Sequence, residues 1–384
     1  MSLIEQMTLF DLETSKKVRD SGDSPYGRIK SNDASPSIFG YGFQIMVALI
    51  YSLENIKRLD RVVVEGSTED IELYFNKQKP IFIQVKAKQK INSGTDKDNG
   101  KCNDAMYSLL NTSIKKRGNY EELIYVSNLP NPLALSKMEQ DISWKPELDM
   151  PFEQNYTQLL DSSREFLDKS VEWAKKKLQS KNYNNTLKFF DRSKLFVTSI
   201  IYRDGEKENN QRVLKNKIQD FFPDIKFNSL KNITNFLFEY YFDNATMSQK
   251  LPKKQIYKKD LVWQLIVKFI DEKRIQPFTE DGELPIEIID DFTAYKEENG
   301  FLARASRDPN NINFVLQSFF ENNSKGTVAG QIKDFINHNW KSHADDLFPS
   351  ENKLLQEYCT KEIMWEIICN YRVIKETKEK ADMS

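Results

Sequence analysis

The chain has 384 residues, 39% of them hydrophobic, and a formal net charge of −1. This length and apolar content suffice for a sizeable core, and the usual size of domains predicts about two or three of them. The balanced charge excludes a uniformly basic nucleic-acid-binding protein, and three scattered cysteines argue against a disulfide framework or a zinc cluster. With no signal-peptide pattern and no stretch near the length of a membrane span, we expect a cytoplasmic protein without membrane contacts.

The first part of the chain predicts an arm followed by an α/β core. Residues 1–34 contain turn formers and charges, which favour a flexible arm. Apolar positions then recur at helical spacing from Ser35 to Leu53 and predict a largely buried helix. The next elements are predicted as three strands (residues 61–65, 70–75 and 81–87), a helix (residues 105–114) and a fourth strand (residues 122–128). The order is therefore α, β, β, β, α, β.

The second part of the chain is predicted to be mostly helical. Residues 152–180 have the pattern of a long amphipathic helix and residues 194–202 that of one more strand, after which helical spacing dominates. The acidic loop at residues 279–285 is the predicted hinge, and the chain beyond Tyr371 is predicted to fray. We expect an α/β domain over residues 35–268 with a helical elaboration, followed by a helical regulatory or assembly domain over residues 269–384.

The second and third strands carry the candidate chemistry. Because side chains alternate along a strand, Asp70 and Glu72 are predicted on one face, and Gln84 and Lys86 on one face of the next strand. A carboxylate with a neighbouring oxygen can hold Mg²⁺, and a lysine can stabilise charge on a phosphate. The hairpin therefore predicts phosphodiester hydrolysis. The alternative is an ordinary solvated sheet face with an ion pair between Asp70 and Lys86.

These residues resemble a known nuclease motif. The pattern DIE followed by QVK, in the order αβββαβ, is similar to the PD-(D/E)xK, restriction-endonuclease-like superfamily, in the variant where Gln replaces the second acidic residue. The stretches GYGFQ, EGSTEDIEL, FIQVKA and LIYVSN more narrowly resemble the double-stranded-DNA nuclease domains of bacterial anti-phage effectors of the CBASS and Lamassu kinds. The resemblance extends over residues 35–205 and more weakly to residue 268.

The resemblance implies a divalent-metal-dependent DNA endonuclease that uses Mg²⁺ or Mn²⁺. Asp70 and Gln84 would be metal ligands and Lys86 the catalytic lysine. Three supporting residues are implied: Gln44, projected from the first helix at a position where related sites often have Glu, and Glu65 or Glu72, one of which would assist Asp70.

The resemblance also implies regulation. Such effectors are held silent until partners or oligomerisation activate them. The helix-rich C-terminal region favours the Lamassu arrangement, with an SMC-like ATPase and a small third subunit as partners, over the fused cyclic-oligonucleotide sensor of the CBASS type. The hypothesis from another class is a catalytically inactive nuclease-like scaffold that binds DNA and partner proteins.

Two further patterns suggest binding partners. Between Lys77 and Arg117 there are ten Lys or Arg against three Asp or Glu, which predicts a surface for double-stranded DNA or, alternatively, a solvated lysine face. The candidate DNA contacts in it are Lys88, Lys90, Lys97 and Lys101. The peptide QMTLF in the arm resembles the motif that binds the bacterial sliding clamp, with Gln6 as the anchor and Leu9 and Phe10 as apolar plugs. The alternative is that this peptide is an amphipathic N-terminal segment that packs on its own domain.

Overall fold

The structure is a computed structural model that describes residues 35–91, 99–180, 187–246, 255–273, 277–279, 284–299 and 327–383. The predicted arm with Gln6, Leu9 and Phe10 lies outside the described residues, as do Lys97 and residues 280–283 of the predicted hinge. The sliding-clamp peptide and the DNA contact of Lys97 therefore stay predictions.

In the part of the chain that the structure describes, helices flank one sheet. The helices are α1 (Ser35–Glu54), α2 (Asn99–Lys115), α3 (Lys137–Ser143), α4 (Asp161–Gln179), α5 (Lys207–Asn210), α6 (Arg212–Phe221), α7 (Phe227–Thr246), α8 (Lys258–Lys273), α9 (Ile289–Asn299), α10 (Val328–Leu347), α11 (Lys353–Cys369) and α12 (Tyr371–Lys380). The strands are β1 (Leu59–Val64), β2 (Ile71–Phe75), β3 (Ile81–Lys86), β4 (Glu122–Ser127), β5 (Phe152–Asn155), β6 (Leu195–Ser199) and β7 (Ile256–Tyr257).

The described strands form a seven-stranded mixed sheet in the order β5-β6-β4-β3-β2-β1-β7. β4 is parallel to both β3 and β6, and the other neighbouring strands are antiparallel. The carboxyl ends of β3, β4 and β6 therefore lie at one edge, next to the end of β1 and the start of β2. The predicted fold class, an α/β core followed by a mostly helical region, is confirmed.

Both faces of the sheet are buried, which explains the apolar strands. Ile81, Ile83 and Val85 pack in one cluster with α1, while Phe82, between Ile81 and Ile83, packs in a second cluster with α2 and α4. The first cluster continues through α8 to α10, α11 and α12. The predicted domain boundary after residue 268 stays a prediction.

Helix α1 is buried all around over its second half, from Phe43 to Leu53. Within the described residues it is the one helix long and apolar enough to cross a membrane, and 61% of its apolar window is buried inside the structure. The expectation that no stretch approaches the length of a membrane span is therefore wrong for α1 by length and composition.

Three sequence-based predictions need correction. Residues 152–155 form β5 instead of the start of a helix, because Asn155 accepts a hydrogen bond from the Thr157 backbone N–H and turns the chain before α4 begins at Asp161. The two-residue strand β7 interrupts the region predicted to be mostly helical by pairing with β1. The end of the chain does not fray at Tyr371, since α12 buries Ile374 in the core.

Candidate active site

The structure brings Asp70 and Gln84 together at the edge where β3 ends and β2 begins. Ile71 pairs with Ile83, so Asp70 lies beside Gln84. The Oδ2 atom of Asp70 accepts a hydrogen bond of 2.9 Å from the backbone N–H of Val85 and another from the side-chain amide of Gln84. The Gln84 side chain is 3% exposed, so this contact occurs in a largely dry environment.

Lys86 ends β3 at the same edge and acts on Asp70 through its charge. Burial raises the pKa of Asp70 to about 6, while the positive charge of Lys86 and the hydrogen bond from Val85 oppose that rise. The negative charge of Glu65 adds to the rise. Asp70 is therefore coupled to both residues, to Gln84 through a hydrogen bond and to Lys86 through its charge.

Gln44 holds the backbone of Asp70. The carbonyl oxygen of Asp70 accepts one hydrogen bond from the Gln44 side-chain amide at 3.1 Å and one from the Glu65 backbone N–H at 2.7 Å. Glu65 has a φ of 54°, in the left-handed region that non-glycine residues seldom adopt. The loop from Glu65 to Asp70 is thus closed tightly, and Gln44 supports the site from α1 by fixing this loop.

Glu72, the other predicted supporting acid, is held within its own hairpin. Its Oε1 atom accepts hydrogen bonds from the Thr68 backbone N–H at 2.9 Å and hydroxyl at 2.8 Å, and Oε2 accepts one from the Tyr74 hydroxyl. Burial alone would raise the pKa of Glu72, but these hydrogen bonds lower it. A Cβ atom at position 66 would collide with this side chain, which explains Gly66. Glu72 is not among the charges that act on the pKa of Asp70.

Glu69 is a buried acid of this site that the sequence analysis missed. It is 4% exposed and accepts hydrogen bonds from the hydroxyls of Ser108 at 2.9 Å and Thr112 at 2.6 Å, both on α2. Burial raises its pKa to about 8, and Asp70 adds to this rise while Lys86 opposes it. Hydroxyl residues four positions apart lie on one helix face, and this spacing in α2 was the available signal.

Glu65 is the acid best placed to assist Asp70. Its carboxylate is half-buried and close enough to raise the pKa of both Asp70 and Tyr41. Within the described part of the chain it makes no side-chain hydrogen bond or ion pair, unlike Glu69 and Glu72. The Tyr41 hydroxyl, on α1, is buried and also has no hydrogen-bond partner among these residues.

The donor atoms of this group fit a hard divalent cation. Asp70 and Glu65 supply carboxylate oxygens, and rotation of the Gln84 amide about its last bond would present its oxygen. Mg²⁺ is commonly bound by one or two carboxylates, with water and substrate phosphate completing its coordination. Among the described residues there is no cluster of three or more His, Cys, Asp or Glu side chains suited to a metal. The two carboxylates therefore fit a metal ion whose coordination is completed by water and the substrate phosphate.

The described candidate DNA contacts, Lys88, Lys90 and Lys101, follow β3 in the chain. Lys90 is exposed, Lys101 donates a hydrogen bond to the Ala87 carbonyl, and both backbone groups of Lys88 bind the Asn128 side chain. These lysines follow Lys86 at the same sheet edge. Their contact with DNA stays a prediction.

Comparisons with known proteins give no family. No family model and no curated protein matches the sequence. Similar solved structures include the Acinetobacter baumannii Cap4 SAVED/CARF-domain containing receptor with the cyclic trinucleotide 3'3'3'-cAAA, at 14% identity and a TM-score of 0.34, covering 82% of this chain and 60% of that one. The Moraxella osloensis Cap4 SAVED/CARF-domain containing receptor has 12% identity and a TM-score of 0.32, covering 78% of this chain and 61% of that one. The chain thus spans about 60% of the length of these receptors, and TM-scores this low do not establish a common fold.

Proposed function

We propose that this chain is a metal-dependent endonuclease that hydrolyses phosphodiester bonds of double-stranded DNA. The observation that carries the proposal is the coupled group formed by Asp70, Gln84 and Lys86 at the carboxyl edge of the sheet, with Glu65 beside it. In open α/β sheets, ligands bind outside the carboxyl ends of the strands. This group combines oxygen donors for a cation with a lysine for an anionic substrate.

Each side chain has a distinct role in this proposal. Bound Mg²⁺ or Mn²⁺ would supply a Lewis acid and an activated water. Asp70, with a pKa of about 6, is mainly ionised at neutral pH and is the principal anionic ligand, while Glu65 is the second. Lys86 stabilises the negative charge that grows on the phosphate. Gln44 and Glu69 keep the loop that carries Asp70 in place.

DNA would approach along the exposed end of β3. Lys88, Lys90 and Lys101 follow Lys86 in this region, and duplex affinity is largely electrostatic. We expect binding that weakens strongly with added salt.

The biological setting belongs to the same proposal. The motif resemblance to anti-phage nuclease domains supports an effector of bacterial defence in the cytoplasm, silent until oligomerisation or partner proteins activate it. An SMC-like ATPase and a small third subunit are the proposed partners, and a CBASS-type activation by a cyclic oligonucleotide is the alternative.

A catalytically inactive DNA-binding scaffold is the second candidate function. It is favoured by one observation: the carboxylates of Glu69 and Glu72 are both occupied by hydrogen bonds, which leaves two acids for a metal. Metal-dependent cleavage separates the two functions, because a scaffold would shift DNA in a gel without cutting it.

The test is digestion of supercoiled and linear duplex DNA with Mg²⁺ or Mn²⁺, with EDTA as the metal control. Lys86→Ala and Asp70→Asn remove the proposed chemistry. Lys79→Ala is the matched control, because Lys79 is exposed and lies just before the first residue of β3, at the end of the strand away from the site. The proposed nuclease activity would be supported if both site variants and EDTA abolish cutting while Lys79→Ala retains it. Cutting that survives Lys86→Ala would refute the assigned site, and DNA binding without cutting, also in the presence of the proposed partners, would favour the scaffold.

A further inference from the structure

We propose that Asn128 is the positioning residue for Lys86, an inference that rests on the proposed function. Asn128 follows the last residue of β4 and is 1% exposed. Its side-chain oxygen accepts a hydrogen bond from the Lys88 backbone N–H at 2.8 Å, and its amide nitrogen donates to the Lys88 carbonyl at 2.9 Å. The same nitrogen donates to the Tyr202 carbonyl at 2.9 Å.

These bonds act where β3 leaves the sheet. The parallel pairing of β3 with β4 ends at Lys86, which lies opposite Ser127. Lys88 lies two residues beyond Lys86, and the Asn128 side chain binds both its backbone N–H and its carbonyl. The Asn128 side chain thus extends the hydrogen bonding between β3 and β4 past the end of the backbone pairing. The direction in which the chain leaves β3 sets the backbone conformation at Lys86, and with it the position of the ammonium group whose charge acts on Asp70.

The third bond, to the Tyr202 carbonyl, connects Asn128 to helix α1 through the Tyr202 ring. The Tyr202 ring packs against Phe39 and Phe43 of α1, with ring centroids 5.0 and 5.1 Å away. Helix α1 also carries Gln44, which holds the Asp70 carbonyl. One buried amide therefore connects the strand end that carries Lys86 with the helix that supports Asp70.

Asn131 provides a control with nearly the same chemistry. It is also 1% exposed, donates to the Leu135 carbonyl at 2.9 Å and accepts from the Leu135 N–H at 3.0 Å. These bonds close the loop from residue 131 to residue 135 and do not reach β3. Loss of either asparagine removes hydrogen bonds to backbone groups, so both alanine variants should lower the melting temperature. Only Asn128→Ala should disturb Lys86.

The decisive experiment observes Lys86 directly, without relying on cleavage. The full-length chain is labelled with ¹³C-methyl groups on its lysines, and the Lys86 NMR signal is assigned by its loss in Lys86→Arg. The chemical shift of that signal is compared in the wild type, Asn128→Ala and Asn131→Ala. We expect it to move in Asn128→Ala and to match the wild type in Asn131→Ala. Asn128→Asp, which keeps the oxygen acceptor, serves if the alanine variant does not fold.

Cleavage kinetics give the second readout. Asn128→Ala should lower kcat by about tenfold or more with little change in KM for DNA, because it displaces a group that acts on the transition state. A Lys86 signal that is unchanged in Asn128→Ala, or shifted equally in Asn131→Ala, would overturn the positioning role. Failure of the wild type to cut would count against the proposed function, while the NMR comparison would still decide the role of Asn128.

Discussion

The Asp70 carboxylate and the Val85 backbone N–H form a hydrogen bond of 2.9 Å that attaches the loop before β2 to β3. Asp70 thus has a structural contact as well as a proposed catalytic one, and two substitutions separate them. Asp70→Asn keeps an oxygen acceptor, so its free energy of unfolding should stay within about 1 kcal/mol of the wild type. Metal-dependent cleavage should fall by about 100-fold or more, because the anionic ligand is lost.

Asp70→Ala removes both functions. The Val85 N–H and the Gln84 amide lose their shared acceptor, which should lower the free energy of unfolding by about 1–3 kcal/mol in urea titrations. An Asp70→Asn variant that cuts DNA as fast as the wild type would contradict the assignment of Asp70 as a metal ligand.

Loss of the Glu65 carboxylate should affect metal dependence, whereas loss of the Glu72 carboxylate should affect stability. Glu65→Gln should raise the Mn²⁺ concentration for half-maximal cleavage by about tenfold, since it weakens the cation site while breaking no side-chain hydrogen bond in the described structure. Glu72→Gln should leave that concentration unchanged but lower stability by about 1–3 kcal/mol, because it disrupts charged hydrogen bonds with Thr68 and Tyr74. Equal metal dependence in wild type and Glu65→Gln would exclude Glu65 as the second acid.

The sequence predicted the core because its strands and helices have clear periodicity. Ile81, Ile83 and Val85 face one cluster and Phe82 faces the other, a pattern of a strand buried on both sides. The short edge strand β5 was missed, because three of its four residues, FEQN, are polar and the segment runs into a helix with strong periodicity. Its pairing with β6 is a tertiary contact that local pattern does not reveal.

The arrangement of the site was predicted only in part, because side-chain alternation applies to strands and not to the loop that carries Asp70. The alternation rule placed Asp70 and Glu72 on one face, but β2 begins only at Ile71 and Asp70 belongs to the preceding loop. That loop is shaped by the left-handed backbone of Glu65, which alternation does not describe. Alternation also does not reveal the hydrogen bonds made by the Glu72 carboxylate. Nor does it reveal those by which Asn128 connects β3 with the chain after β6, because they join residues far apart in the sequence.

Gly40 and Gly42 of α1 should respond differently to alanine. A Cβ at Gly40 meets no atom within 4 Å, so Gly40→Ala should raise the free energy of unfolding by about 0.5–1 kcal/mol through helix propensity. A Cβ at Gly42 would lie 2.9 Å from the Tyr202 hydroxyl and would displace that ring. Gly42→Ala should therefore be neutral or destabilising in thermal unfolding. A stabilisation equal to that of Gly40→Ala would show that Tyr202 is not packed against α1 as described.

Glu122, at the start of β4 and the sheet edge opposite the candidate site, should make stability depend on pH. Burial raises its pKa from 4.5 to about 7, with Glu153 and Glu121 adding to the rise and Arg58 opposing it. Between these values the folded chain keeps a proton that the unfolded chain releases, so stability falls as pH rises. Glu122→Gln should remove this loss. Its advantage over the wild type in free energy of unfolding should grow by about 1–2 kcal/mol from about pH 5 to about pH 8, less than the full pKa shift implies, because solvent screens this half-buried group.

The matched control is Glu147→Gln, which changes an exposed carboxylate in the loop before β5. Urea unfolding of the three proteins at both pH values measures the effect. The difference between Glu122→Gln and the wild type should grow with pH, because the wild type pays an increasing cost to keep Glu122 protonated, while the difference for Glu147→Gln should stay constant. A pH-independent difference for Glu122→Gln would mean that this carboxyl group ionises equally in the folded and unfolded chain.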